Sequence, residues 1–133
     1  MAGRSSLATG DPIRSYKDLD VWRLGMALAE TCYVVTREFP RDEIYGMTSQ
    51  IRRAAVSIPA NIAEGYGREN TGSFVQFLRI SQGSLKELER HVMLAQRVSL
   101  LSQEVAARLL VDCEVIGKML RNLIRSLQAK ADA

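Results

Sequence analysis

Apolar residues recur every three or four positions in four successive segments of this chain, and this spacing constrains its fold more than any other feature. The clearest rows run from Phe74 to Ala95 and from Ala106 to Leu127. Such spacing places the apolar side chains on one face of a helix. No segment shows the alternation of apolar and polar residues that is typical of a half-buried strand. The sequence therefore predicts an all-α fold, an up-down-up-down antiparallel four-helix bundle with short connections.

The limits of the first two helices follow from capping residues and prolines. We expect Asp18 or Asp20 to cap the first helix, and Pro40 to end it, because the residue before a proline is pushed out of helical geometry. The second helix is expected over residues 42–66. Pro59 lies inside it and removes one backbone donor, which predicts a kink.

Two further capping signals place the other helices and define the domain. The third helix is expected to begin with a capping-box pattern at residues 73–76, and the fourth to follow Ser102 as its N-cap. The chain is then expected to consist of a disordered N-terminal arm (1–15), the bundle (16–128) and a frayed C-terminus (129–133).

The first helix carries two adjacent apolar rows, which predicts a wide buried face. Trp22 and Tyr33 share one of these rows. We expect both in the core, because proteins that stack nucleic-acid bases interleave aromatic and basic residues on an exposed face. Two rows on one helix also exceed what one bundle interior needs, which favours self-association.

The inventory of reactive side chains argues against an enzyme. One histidine, His91, cannot form a His-pair metal site, and Cys32 and Cys113 lie on apolar rows, where cysteine behaves as a small hydrophobe. Residues 65–67 resemble the start of a phosphate-binding loop but lack its Lys-Ser/Thr, so a helix end is expected there. We therefore predict no catalytic residues, no metal and no cofactor.

Composition also limits the location of the protein. The 133 residues carry a net charge of +3, and 47% of them are hydrophobic. No apolar run reaches the ~18 residues that a membrane span needs, and the first residues contain no signal-peptide core. The expected location is the cytoplasm, with no membrane partner.

Three segments resemble one known family. The run YGMTSQIRRAAVSIPANIAEG (45–65), the opening YKDLDVW (16–22) and the stretch 77–88 are similar to the small four-helix-bundle proteins named for 23S rRNA intervening sequences. The similarity extends over about residues 16–127. It implies a homopentameric ring. Relatives include accessory proteins of diversity-generating retroelements, which bind a reverse transcriptase and nucleic acid.

Basic side chains form two rows opposite the apolar faces of the third and fourth helices. Those on the third helix lie within about 20° of one line and extend over about 27 Å. Rows of this kind bind phosphate backbones without sequence preference, although a charged face can also serve only to keep a helix solvated. The predicted nucleic-acid-binding residues are Arg79, Lys86, Arg90, Arg97, Lys118, Arg121 and Arg125.

A polar row follows one flank of the second helix. A hydrogen-bonded contact between helices or subunits is favoured there over a groove that holds RNA or a ligand, because buried polar groups usually find such partners. Glu64 and Arg68 have the spacing of an ion pair. The predicted oligomer-interface residues are Arg53, Ser57, Asn61 and Glu64.

Together these features predict a non-enzymatic, self-associating helical bundle that presents basic surface to structured RNA or DNA, such as rRNA. Its expected partners are further copies of itself, as a homopentamer, and nucleic acid. One alternative is a protein-interaction module, an accessory subunit of a retroelement reverse transcriptase. The other is a bundle that binds no nucleic acid.

Overall fold

Four long helices make up most of the chain, as predicted. A computed structural model of the protein describes residues 4–5 and 12–132. The helices within this part of the chain are α1 (Asp20–Thr36), α2 (Met47–Gly67), α3 (Thr71–Arg97) and α4 (Gln103–Asp132). The fold is therefore all-α.

The N-terminal region joins the folded body earlier than expected. A two-residue strand β1 (Arg4–Ser5) pairs antiparallel with β2 (Pro12–Ile13). Ile13 is buried, and Ser15 forms a capping box with Asp18 in a 3-10 turn ahead of α1. Residues 12–15 of the predicted arm are therefore part of the folded body. Residues 1–3 and 6–11 of that arm lie outside the described residues.

The predicted ends of α1 and the start of α2 were wrong. Leu19, which has no capping side chain, is the N-cap of α1, because Asp18 instead accepts hydrogen bonds within the preceding turn. α1 ends at Thr36, well before Pro40. α2 begins only at Met47, whose backbone N–H donates to a Glu43 carboxylate oxygen at 3.0 Å.

Pro59 does not interrupt α2, which continues through it. α3 begins at Thr71, where the Asn70 side chain accepts from the backbone N–H of Ser73 at 2.9 Å, so the predicted capping box at residues 73–76 is wrong. Ser102 caps α4 as predicted, since its hydroxyl accepts from the backbone N–H of Val105. α4 runs to Asp132, past the point where fraying was expected.

Each helix packs against two others: α2 against α1 and α3, and α4 against α3 and α1. The apolar faces meet between them. The largest fully buried side chains are Ile51, Ile58, Ile62, Leu78, Leu85, Leu88, Leu109, Ile116 and Leu120. Leu78 and Ile124 are buried, whereas their neighbours Phe77 and Leu123 are half-buried.

α2 and α3 approach each other closely at Gly65. A Cβ atom at this position would lie 2.6 Å from the Cβ of Phe77 and 3.1 Å from a ring carbon of Phe74. Farther along the same interface, the hydroxyl of Ser81 donates to the backbone carbonyl of Ile58 at 2.9 Å. Both contacts hold α2 and α3 in one register.

Candidate nucleic-acid and self-association surfaces

All four basic residues of the α3 row are exposed along the outside of that helix. Lys86 forms an ion pair with Glu89, with Nζ and Oε1 3.1 Å apart. Within the described part of the chain, Arg79, Arg90 and Arg97 have no ion-pair partner. Three guanidinium groups on one line are therefore available to an external anion.

The α4 row is exposed as well. Lys118 pairs with Glu114 at 3.3 Å, whereas Arg121 and Arg125 form no ion pair with any described residue. A Cβ atom at Gly117 would lie 3.3 Å from the side chain of Leu85, so Lys118 and Lys86, the next residue of each helix, occupy the same level of the α3–α4 pair.

This arrangement suits a polyanion. A phosphate backbone presents negative charge at regular intervals, and free guanidinium groups can pair with its oxygens and release counterions. Because these side chains are solvated and spread over about 27 Å, each contact contributes little alone. Contacts of this kind to phosphate would position a nucleic acid but would not by themselves specify its base sequence.

The polar row of α2 divides into inward and outward parts. Ser57 and Ser84 share a hydrogen bond between α2 and α3, with their hydroxyl oxygens 2.7 Å apart. Asn61 donates to the Ser57 hydroxyl at 2.9 Å and to its backbone carbonyl at 2.8 Å. Ser57 and Asn61 therefore belong to a hydrogen-bonded network that joins α2 to α3 within one chain through Ser84.

The outward part of the same row remains available for contact with another molecule. Arg53 is exposed and donates to the Gln50 side chain at 2.8 Å. Glu64 pairs with Arg68 at 3.0 Å, which confirms the ion pair expected from their spacing.

Tyr33 marks a surface that was not predicted from the sequence. The prediction that it lies in the core is wrong: Tyr33 is 41% exposed, and Trp22, also predicted in the core, is only half-buried against the edge of the Tyr16 ring. The guanidinium of Arg52 lies 4.5 Å from the centre of the Tyr33 ring, and its Nε donates to the Thr36 hydroxyl at 2.8 Å. This network crosses from α2 to α1.

Two surface cavities meet at Tyr33 and form one groove along the outside of α1 and α2. Their volumes are about 560 and 580 Å³, and both are lined by Tyr33 and Val56. One contains Arg52 and Arg53, and the other contains mostly apolar side chains around Pro59. The second apolar row of α1, which includes Trp22, Met26 and Tyr33, lies next to the arginines of α2 and was the sequence signal for this groove.

The two cysteines lie inside the fold. Burial raises the pKa of the Cys32 thiol to about 12, with Asp112 adding to the shift. Burial also raises the pKa of the Cys113 thiol to about 12, and Glu89 contributes. Thiols this resistant to ionisation are poor nucleophiles and poor metal ligands.

The residues described by the structure bring together no group of three or more His, Cys, Asp or Glu side chains that could hold a metal ion. None of the helices in this part of the chain has the length and apolarity needed to cross a membrane. Residues 65–67, expected to form a helix end, are the last turn of α2.

Comparison with known proteins identifies a family. A family model described as the 23S rRNA-intervening sequence protein matches residues 17–122, which include most of the bundle and every residue of the basic rows except Arg125. That description names no enzymatic activity. Comparison with curated proteins finds no match.

A solved structure supports the fold. The chain is similar to a protein of unknown function from the S23 ribosomal protein family of Bacteroides thetaiotaomicron, with 24% sequence identity and a TM-score of 0.71. The similarity covers 78% of this chain and 97% of the other. At this level of identity, the similarity shows a shared fold.

Proposed function

The chain belongs to the 23S rRNA-intervening sequence protein family, and we propose that it is a non-enzymatic, self-associating helical scaffold whose basic rows bind the phosphate backbone of structured RNA or DNA. The observation that carries the proposal is the α3 row. Arg79, Arg90 and Arg97 share one exposed line, and no described carboxylate neutralises them.

Short connections support the up-down arrangement within this proposal. Only residues 68–70 separate α2 from α3, and Glu69 adopts a left-handed conformation with φ 56°. Ser99, with φ 66°, lies in the connection between α3 and α4, which comprises only residues 98–102. Connections of this length join antiparallel neighbouring helices.

Self-association is supported by the apolar side chains left on the surface. Tyr33, Val56 and Ile44 are each more than 40% exposed and lie along one groove. Contiguous apolar surface of this kind usually marks an interaction site. In an assembly, several copies of each basic row would act together, so that weak phosphate contacts give useful affinity through avidity.

Fluorescence anisotropy tests the nucleic-acid part of the proposal. The probes are a labelled RNA hairpin of about 20 base pairs and a DNA duplex of the same sequence. With four phosphate contacts, affinity is expected to fall about a hundredfold between 50 and 200 mM salt. Replacing Arg79, Arg90 or Arg97 singly with Gln is expected to reduce the slope of log K against log salt by about 0.9 each.

Arg108→Gln is the matched control, because Arg108 is an exposed arginine of α4 outside both rows. It should leave the slope unchanged. The absence of a salt-sensitive complex with both probes would contradict the nucleic-acid role. Binding that responds equally to Arg108→Gln would show that net charge, and not the rows, is responsible.

The protein-interaction alternative, an accessory subunit of a reverse transcriptase, would use the same exposed surfaces. It is distinguished by gene context. A neighbouring reverse-transcriptase gene with a template repeat would favour it, and a position within an rRNA operon would favour the rRNA-associated role.

A further inference from the structure

The α1–α2 groove has the dimensions to bind one helix. It extends along α2 from Thr48 to Ala63, a distance of about 22 Å, or four helical turns. Its floor is formed by small or apolar side chains such as Val56 and Ala60, and its charged lining comprises three arginines, Arg37, Arg52 and Arg53, against the single carboxylate of Glu30. A helix that is complementary to this groove would carry apolar side chains at both ends of its bound face and an acidic side chain between them.

The same chain carries such a face on α3. Ile80, Glu87 and Leu94 follow one another at seven-residue spacing and lie within about 40° of one line. Ile80 and Leu94 are 47% and 49% exposed, and the Glu87 side chain is 38% exposed. The distance from Ile80 to Leu94 is about 21 Å, which matches the groove. We call these three residues the α3 stripe.

We propose that the groove of one copy binds the α3 stripe of a second copy. In this contact Glu87 faces Arg53, and Ile80 and Leu94 pack into the groove on either side of that pair. This inference rests on the proposed self-association and specifies its interface. The charges support it, because an arginine-rich groove and an acidic centre are complementary. The other contacts of Glu87 and Arg53, to His91 and Gln50, lie on their own helices, the first half-buried and the second exposed, so both side chains can turn toward a partner.

Two consequences follow from the positions of these surfaces. Groove and stripe are different parts of the molecule, so the contact is heterologous, and every copy uses both surfaces. Repetition of such a contact closes into a ring when the rotation allows it. The stripe also lies about 80° around α3 from the line of Arg79 and Arg97, which leaves those arginines outside the contact.

Charge exchange tests the pairing on the full chain. Arg53→Glu and Glu87→Arg each place like charges opposite each other and are expected to weaken association at least about a hundredfold. The double variant Arg53→Glu/Glu87→Arg restores opposite charges and should return the dissociation constant to within about tenfold of the unmodified chain. Association is measured by sedimentation velocity and light scattering, and circular dichroism verifies that each variant is folded.

Controls separate this interface from association in general. Arg108→Glu reverses an exposed charge outside both surfaces and should change nothing. Leu94→Gln removes an apolar end of the stripe without a charge change and should weaken association about tenfold. A set of single variants that assemble like the unmodified chain, or a double variant that is not rescued, would overturn the groove–stripe pairing alone. An unmodified chain that is monomeric at 100 µM would instead overturn the proposed self-association.

Discussion

Replacing Gly65 with Ala tests the closest contact in the fold. The added Cβ would lie 2.6 Å from the Cβ of Phe77, where ordinary carbon–carbon contact is about 3.5–4 Å. The Phe77 Cβ is attached directly to the backbone and cannot rotate away. α2 and α3 must therefore separate by about 1 Å, or the chain must deform locally.

Overpacking of this kind costs about 1–3 kcal/mol. The better helix propensity of alanine offsets at most about 1 kcal/mol, and less in the last turn of α2, where Gly65 lies. We therefore expect Gly65→Ala to lower the free energy of unfolding by about 1–2 kcal/mol. For a chain of 133 residues, this corresponds to a decrease in Tm of about 3–10 °C.

Gly83→Ala is the matched control. Gly83 lies in the middle of α3, and a Cβ there would meet no atom within 4 Å. Only the propensity gain remains, so this variant should be more stable by about 0.5–1 kcal/mol. Both variants are measured by urea unfolding at two protein concentrations, so that any effect of association can be separated. If Gly65→Ala is as stable as Gly83→Ala, the close approach of α2 and α3 is not a feature of the folded protein.

Two further predictions concern buried polar groups. Thr36→Val removes the hydroxyl that accepts from Arg52 Nε at 2.8 Å, and we expect it to lower the free energy of unfolding by about 1–2 kcal/mol in urea. The control Thr31→Val should lower it by less than about 0.5 kcal/mol, because the Thr31 hydroxyl bonds only within its own helix. The pKa of the Cys32 and Cys113 thiols is raised from 9.0 to about 12, so the unfolded chain holds fewer protons above pH 9 and stability falls as pH rises from 9 to 12. The free energy of unfolding is measured at pH 8 and pH 10 for the unmodified chain and for the Cys32→Ala/Cys113→Ala variant. Its decrease between these pH values should be smaller in the variant, by about 1 kcal/mol for each thiol removed.

The number of helices and most of their buried faces follow from sequence periodicity, because a wide apolar face can only be covered by packing. The exact ends do not follow in this way. Asn70 and Ser73 are both good N-cap residues three positions apart, and the choice between them depends on the left-handed conformation of Glu69. Nothing local in the sequence specifies that conformation for a glutamate.

Contacts within one helix were more predictable than contacts between helices. The pairing of Glu64 with Arg68 follows from four-residue spacing alone. The hydrogen bond between Ser57 and Ser84 depends on the register of α2 against α3, which is set by close approaches such as the one at Gly65. Tyr33 was misplaced for a related reason: α1 has two apolar rows, and only the packing of its neighbours decides which row is covered.

The arrangement of charge on α3 links the two parts of the proposed function. The basic line and the α3 stripe share one helix but are about 80° apart, so one copy can be held by its neighbour while Arg79 and Arg97 remain solvated. A single row offers only a few weak, salt-screened contacts to phosphate. In a heterologous assembly, each copy presents the same row, so several rows contact one polyanion together. The number of contacts then rises although each copy contributes the same residues. Self-association is in this sense a requirement for the proposed binding, because the basic rows of one copy, within the described residues, offer too few such contacts for useful affinity.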